Sequence, residues 1–216
     1  TMHLALCYAR ILALDERAAR VFVLASLLHD IAHGPFSHAF ETAICGTPCA
    51  EAFGDHDSFR YRLLAENAEL RAAVGDDAVD GVRRVWDGSD AQLHELLAGV
   101  AGVDRMDYIL RDSYHLTPQR RLHVTCVQSI MEETYVDDAS RVRYTPKGAR
   151  FIGHLLEERC YLYREVYTHK RAVSADHLLC RAVAHLADDL VPWLTPDNFE
   201  RLDDGPQVAT EAVLRE

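Results

Sequence analysis

Apolar positions recur at helical spacing over residues 4–28, with a break at Asp15, where an aspartate ahead of Glu16 and Arg17 suits a helix N-terminus. Two helices therefore lead to His29. Gly34 and Pro35 end that run, and residues 36–44 can restart as a helix before the Gly46-Thr47-Pro48 turn. Residues 57–64, 78–86 and 91–103 repeat at helical period between Gly75, Gly81 and Gly88, and 104–114 forms a further helix ended by Leu116-Thr117-Pro118. Two short runs, 134–136 and 141–144, flank Asp137-Asp138-Ala139-Ser140 as a hairpin. Longer helical runs over 147–172 and 175–190 precede a tail marked by Pro192, Pro196 and Pro206. The pattern predicts an all-α domain with a minor β-hairpin over 1–190, followed by an irregular C-terminal tail over 191–216.

Composition fits one folded unit: 216 residues with 49% hydrophobic content can bury a substantial core. The longest apolar stretch, 21–28, is far short of the roughly 20 residues that a membrane span needs, and the chain opens without a basic-then-apolar leader. These features predict an intracellular protein, cytoplasmic or nuclear. Acidic residues exceed basic ones by 34 to 23, giving a formal charge of −11, which disfavours an extended nucleic-acid surface or an anionic membrane as partner. An anionic substrate would need a local basic pocket or a metal.

The six cysteines are dispersed and read as reduced thiols. Cys45 and Cys49 flank a turn, where a disulfide or two metal ligands is conceivable, but no second cysteine pair completes a zinc site. The twelve histidines are the more unusual feature. Three of them, His29, His33 and His38, share a ten-residue segment with Asp30 at the end of an apolar helix. Imidazole and carboxylate together suit a borderline or hard divalent metal. If the segment is helical, His29 and His33 share a face. The plain structural alternative is a His29-Asp30 helix cap with exposed histidines around it. Against that alternative stand His3 on an amphipathic helix, the Asp55-His56-Asp57 cluster, and the segment Gly102-Val103-Asp104-Arg105-Met106-Asp107-Tyr108.

Two further stripes carry polar chemistry. Asp104, Tyr108 and Asp112 fall on one helix face at spacings of four, with Arg105 beside the first and able to hold a phosphate. Arg159, Tyr163, Tyr167 and Lys170 form a second stripe at spacings of four, four and three. Alternating cations and aromatics suit phosphate and base or sugar contacts. Each stripe also has a bland reading, as a solvated charged face or as tyrosines packed between helices.

The order His3, His29-Asp30 and Asp104 resembles the metal set of the HD-domain superfamily of phosphohydrolases, and the segments HDIAHGPFSHAFE, GVDRMDYILRDSYHL and RCYLYREVYTHKRAV, in this order, resemble the signature blocks of one of its branches. The resemblance spans residues 3–190 and is closer to the deoxynucleoside triphosphate triphosphohydrolases, the branch that includes bacterial dGTPases and the vertebrate protein combining SAM and HD domains. It implies an HD-domain helical bundle, and one divalent metal (Mn, Fe, Mg, Zn, Co or Ni) held by His3, His29, Asp30 and Asp104. It also implies that Arg159 contacts phosphate and Tyr167 the deoxyribose. In the family an arginine commonly lies three residues before the first histidine, and His3 is too near the start for one. A fragment or processed start, favoured by the opening Thr1, or a missing phosphate contact accounts for this. Asp57 stands where a glutamate is common, and Tyr163 and Thr168 where relatives carry histidine and glutamine.

The residues and the resemblance together predict a metal-dependent phosphohydrolase, releasing a deoxynucleoside and tripolyphosphate from a dNTP. His33, His38 and His56, with Asp57 tuning His56, are the acid–base candidates, since imidazole titrates near neutral pH. His38, Arg105, Tyr108, Asp112, Arg159, Tyr163 and Tyr167 are the substrate-binding candidates. The alternatives are an HD-type nucleoside monophosphate phosphatase or phosphodiesterase, and a catalytically silent nucleotide-binding module. The nucleotide is the expected partner, with homo-oligomers implied by resemblance.

Overall fold

The computed structural model describes residues 1–117 and 119–199. The expected turn at Pro118 and the tail beyond residue 199, with Pro206, lie outside the described residues. Among the described residues the chain is helical apart from one two-stranded hairpin, the expected all-α architecture. No helix there is long and apolar enough to cross a membrane. The chain divides into two compact units, Thr1–His29 with Asp76–His169, and Asp30–Gly75 with the chain from Lys170.

In the first unit, α1 (Met2–Ile11) and α2 (Glu16–Leu27) form the expected helical pair. Asp15 caps α2, its carboxylate accepting from the Ala18 N–H at 2.8 Å. After a stretch belonging to the second unit, with α3 (His38–Ile44), α4 (Pro48–Phe53), α5 (His56–Glu66) and α6 (Ala68–Val74), the chain returns through α7 (Asp76–Trp86). Gly81 lies inside α7 rather than between helices: a Cβ there would stand 2.7 Å from Val21 Cγ2, so the glycine lets α7 close on α2. The Trp86 indole N–H donates to the Ala25 carbonyl at 3.0 Å across the same contact.

The run expected over 91–103 is shorter, ending as α8 (Ala91–Ala98), and α9 (Val103–Leu116) starts after the Gly99–Gly102 turn. A Cβ on Gly102 would fall 2.3 Å from the Leu97 carbonyl oxygen, so this turn tolerates no side chain. The turn re-aims the chain just before Asp104. α10 (Val124–Glu132), which the pattern did not suggest, leads into the expected hairpin of β1 (Thr134–Val136) and β2 (Val142–Tyr144), paired antiparallel with Thr134 opposite Tyr144. Asp137 closes that hairpin by accepting from the Arg141 N–H at 2.9 Å and the Ala139 N–H at 3.0 Å.

α11 (Pro146–Leu162) widens into a π-type turn over Tyr163–Tyr167 and stops at Thr168, four residues earlier than the period suggests. Buried Tyr8, Phe22, Val82, Leu96, Met106, Ile109, Ile130 and Leu155 form the interior of this unit.

In the second unit, α12 (Lys170–His185) packs on α3, and α13 (Ala187–Leu190) on α4. Phe40, Ile44, Phe53, Phe59, Leu63, Val183, Leu194 and Phe199 make its core. Gly34 is required there, because a Cβ would sit 2.5 Å from the Phe40 ring. All six cysteines are free thiols, Cys45 exposed and Cys49 buried.

Candidate functional site

α2 ends at Leu27, two residues before His29, and 28–37 is a series of turns. The shared helical face expected for His29 and His33 is therefore absent. A sequence pattern cannot foresee this, because the helix stops before the Gly-Pro break rather than at it. His29 instead turns back on its own helix end, with Nδ1 2.9 Å from the Ser26 carbonyl. That contact fixes the ring and aims Nε2 at Asp104 Oδ1, 3.3 Å away. An imidazole nitrogen facing a carboxylate oxygen, the imidazole mostly buried, is a donor pair that fits a divalent cation. Asp30, the next residue, is bonded to His29, and its Oδ1 is 3.4 Å from His33 Nε2.

His3 sits exposed in the first turn of α1, with Nε2 3.8 Å from Cys7 Sγ. Among the described residues it is not in the group formed around His29 and Asp104.

α9 and α11 bring the two polar stripes of the sequence together. Tyr108 OH accepts a hydrogen bond from Arg159 Nε at 3.0 Å, and the Arg159 guanidinium lies over the Tyr163 ring, 5.0 Å from its centroid. Burial raises the Tyr108 phenol, partly offset by Arg159, while its hydrogen bond to Tyr108 raises the guanidinium. One turn on, Tyr167 OH donates to Asp112 Oδ2 in a very short hydrogen bond. Burial and this carboxylate push the Tyr167 phenol up, so it stays a donor. The face of α9 thus runs from the His29-facing Asp104, through the Arg159 cation at Tyr108, to the Tyr167 phenol at Asp112. The Arg105 guanidinium donates to the Gly99 carbonyl at 2.8 Å and braces the turn before α9. Lys170 begins α12.

A separate cluster forms in the second unit. The His33 and His56 rings stack with centroids 4.5 Å apart, and His38 meets His33 edge-on at 4.9 Å. All three converge on Glu41, whose Oε1 is 3.0 Å from His56 Nδ1, 3.5 Å from His38 Nδ1 and 3.6 Å from His33 Nδ1. Asp57, expected to tune His56, is 3.8 Å from the ring and 2.5 Å from Arg60 Nη2. Glu41 was missed by sequence reasoning. The signal was a carboxylate one helical turn after His38, which reads on its own as an ordinary surface pair. The loop that aims His38 is strained: Phe36 and Ser37 both hold positive φ, at 63° and 53°.

Comparison with known proteins adds a lineage to this geometry. The HD domain family matches residues 1–112. A curated relative from Dictyostelium discoideum, described as a deoxynucleoside triphosphate triphosphohydrolase SAMHD1 homolog, is 29% identical over 183 residues, covering 79% of this chain and 34% of the relative. The uncharacterized protein MJ1154 of Methanocaldococcus jannaschii is 30% identical over 186 residues, covering 85% and 37% of the two chains. The chain therefore spans somewhat over a third of the length of these curated relatives. A crystal structure of a phosphohydrolase from Bacteroides thetaiotaomicron superposes with a TM-score of 0.71 at 25% identity, over 88% of this chain and 46% of that one.

Proposed function

The chain belongs to the HD-domain family, and from that premise we propose that it is a metal-dependent phosphohydrolase that cleaves a deoxynucleoside triphosphate to deoxynucleoside and tripolyphosphate. The observation that carries this reading is the single face of α9: Asp104 facing His29, Tyr108 holding Arg159, and Asp112 holding Tyr167. Carboxylate for a metal, cation for a phosphate and phenol for a sugar follow one another at intervals of one turn, the order of chemical groups along a nucleotide. The description of the Dictyostelium relative points the same way.

In this reading His29, Asp30 and Asp104 hold one divalent metal, with His3 as the fourth ligand that the resemblance implies. When bound, the metal activates water and offsets negative charge on phosphorus. Arg159 binds phosphate oxygens through the guanidinium donors that Tyr108 leaves free, since a guanidinium has five N–H groups. Tyr167, locked by Asp112, packs against the sugar. The histidines of the second unit are the acid–base candidates: His56 Nδ1 lies 3.0 Å from the Glu41 carboxylate, which orients that ring.

The test is incubation of the purified protein with each dNTP and Mn²⁺, Mg²⁺ or Fe²⁺, followed by product identification. Tripolyphosphate with free deoxynucleoside supports the proposal. Orthophosphate released from monophosphates assigns the chain to the phosphatase alternative. Stoichiometric nucleotide binding without turnover under every metal assigns it to the silent binding module.

A further inference from the structure

The second unit holds a set of metal-ligating side chains that shares no residue with His29 and Asp104. His33, His38, Glu41 and His56 each offer a ligand atom, and these atoms lie within 4.8 Å of one another. At its centre is one oxygen, Glu41 Oε1, with three imidazole Nδ1 atoms at 3.0, 3.5 and 3.6 Å. A carboxylate oxygen offers two lone pairs, so three ring donors cannot all be well bonded to it. Three protonated imidazoles at this spacing would also repel one another. A cation among them resolves both problems: each ring turns a lone pair inward, and the carboxylate supplies counter-charge.

The donor set and its dimensions suit zinc. Tetrahedral zinc with bonds of about 2.0–2.2 Å places its ligand atoms about 3.3 Å apart. The three distances to Glu41 bracket that value. Three imidazoles and one carboxylate match zinc, whereas magnesium and calcium require near-complete oxygen shells. The supports are local: α3 carries His38 and Glu41 one turn apart, and Asp55 caps α5 by accepting from the Ser58 N–H, fixing the helix start at His56. The His33 side chain is 17% exposed and that of His38 is 76% exposed, so His38 is the ligand with room to swing onto or off an ion.

We propose that His33, His38, Glu41 and His56 form a zinc-binding site of their own. Zinc held there replaces the ring N–H that Glu41 orients and draws charge from the imidazoles assigned above to proton transfer, so it inhibits hydrolysis. That consequence rests on the proposed function, whereas zinc binding itself does not.

The test is zinc content per chain after equilibrium dialysis of the full-length protein, read together with helical circular dichroism. Asp104→Ala removes the first donor set, and this variant is expected to retain one zinc. Adding His38→Ala, an exposed position whose loss leaves the core intact, should weaken that zinc by more than about a hundredfold, since outer partners of ligands alone account for about 10- to 100-fold. Cobalt should give intense four-coordinate visible bands in Asp104→Ala and lose them with His38→Ala. A folded Asp104→Ala that binds no zinc, or zinc binding undiminished by both His38→Ala and Glu41→Gln, overturns the site. If Asp104→Ala loses its helical signal, His38→Ala alone gives the reading: a stoichiometry lower by one supports the site, and an unchanged one overturns it. Zinc bound with hydrolysis undiminished leaves the site standing and removes the proton-transfer roles. Normal hydrolysis with no zinc bound removes the site alone.

Discussion

Glu41 Oε1 lies 3.0 Å from His56 Nδ1 across fifteen residues of chain, closer to that ring than the carboxylate of the adjacent Asp57. Asp57 is drawn off by Arg60, which is nearly buried and takes its Oδ1 at 2.5 Å. Glu41→Gln is therefore expected to lower kcat by about a hundredfold, the low end of what positioned proton transfer contributes, with KM little changed. Asp57→Asn should cost less. Steady-state kinetics of the two variants check this, and a larger loss at Asp57 would give the tuning role back to the sequence neighbour.

The contrast between these two carboxylates shows what the sequence carries. Helical period and the Asp137–Ser140 turn foretell α1, α2, α7, α9, α11 and the hairpin, because these elements bury one face and follow local rules. The stripes of α9 and α11 were legible as i, i+4 sets, and the structure joins them through Arg159–Tyr108 and Tyr167–Asp112. What stayed hidden depends on tertiary fit. The early stop of α2 before His29 and the convergence of three histidines on Glu41 come from turns that no periodicity encodes. α4 and α6 are too short for their period to register.

Arg159 holds its guanidinium between Tyr108 and the Tyr163 ring, aimed but not neutralised by either. Arg159→Ala should raise KM by about 10- to 100-fold, the equivalent of one charged hydrogen bond of about 1.5–3 kcal/mol. Arg164, exposed and paired with Glu165, is the control, and its replacement by Ala should leave KM unchanged. Unchanged kinetics at Arg159 would return it to a purely structural stack.

Tyr167 should separate deoxyribose from ribose. A ring fixed by Asp112 leaves little room for an added hydroxyl, an exclusion of roughly 1–3 kcal/mol, or about 10- to 200-fold in kcat/KM. Tyr167→Ala should relax the ratio of dGTP to GTP hydrolysis, and Tyr167→Phe should relax it less, since the ring remains. Equal wild-type rates on both sugars, or a ratio that survives Tyr167→Ala, would remove Tyr167 from sugar recognition.

The hairpin supplies a pH-dependent prediction. The Arg141 N–H, opposed by desolvation and aided by the Arg143 and Arg141 guanidiniums and the Ala139 N–H, holds Asp137 down at about 2. A folded pKa below the unfolded value of about 3.9 means that the stabilisation is complete above the latter and is lost as pH falls through about 2. Asp137→Asn should therefore lower Tm at neutral pH, and the gap to wild type should narrow as the pH is taken below about 4. Thermal melts across that range check it; a gap independent of pH would mean that the carboxylate charge is immaterial to the turn.

The proposed function requires water to attack the α-phosphorus of a deoxynucleoside triphosphate, with Asp104 among the metal ligands. The most direct measurement is hydrolysis in water carrying the heavy oxygen isotope, with the products separated and weighed by mass spectrometry, for wild type and for Asp104→Ala. The account predicts that wild type gives unlabelled deoxynucleoside and tripolyphosphate carrying one heavy oxygen, and that Asp104→Ala gives neither. Label in orthophosphate or pyrophosphate, label in the deoxynucleoside, or undiminished turnover by Asp104→Ala would contradict it.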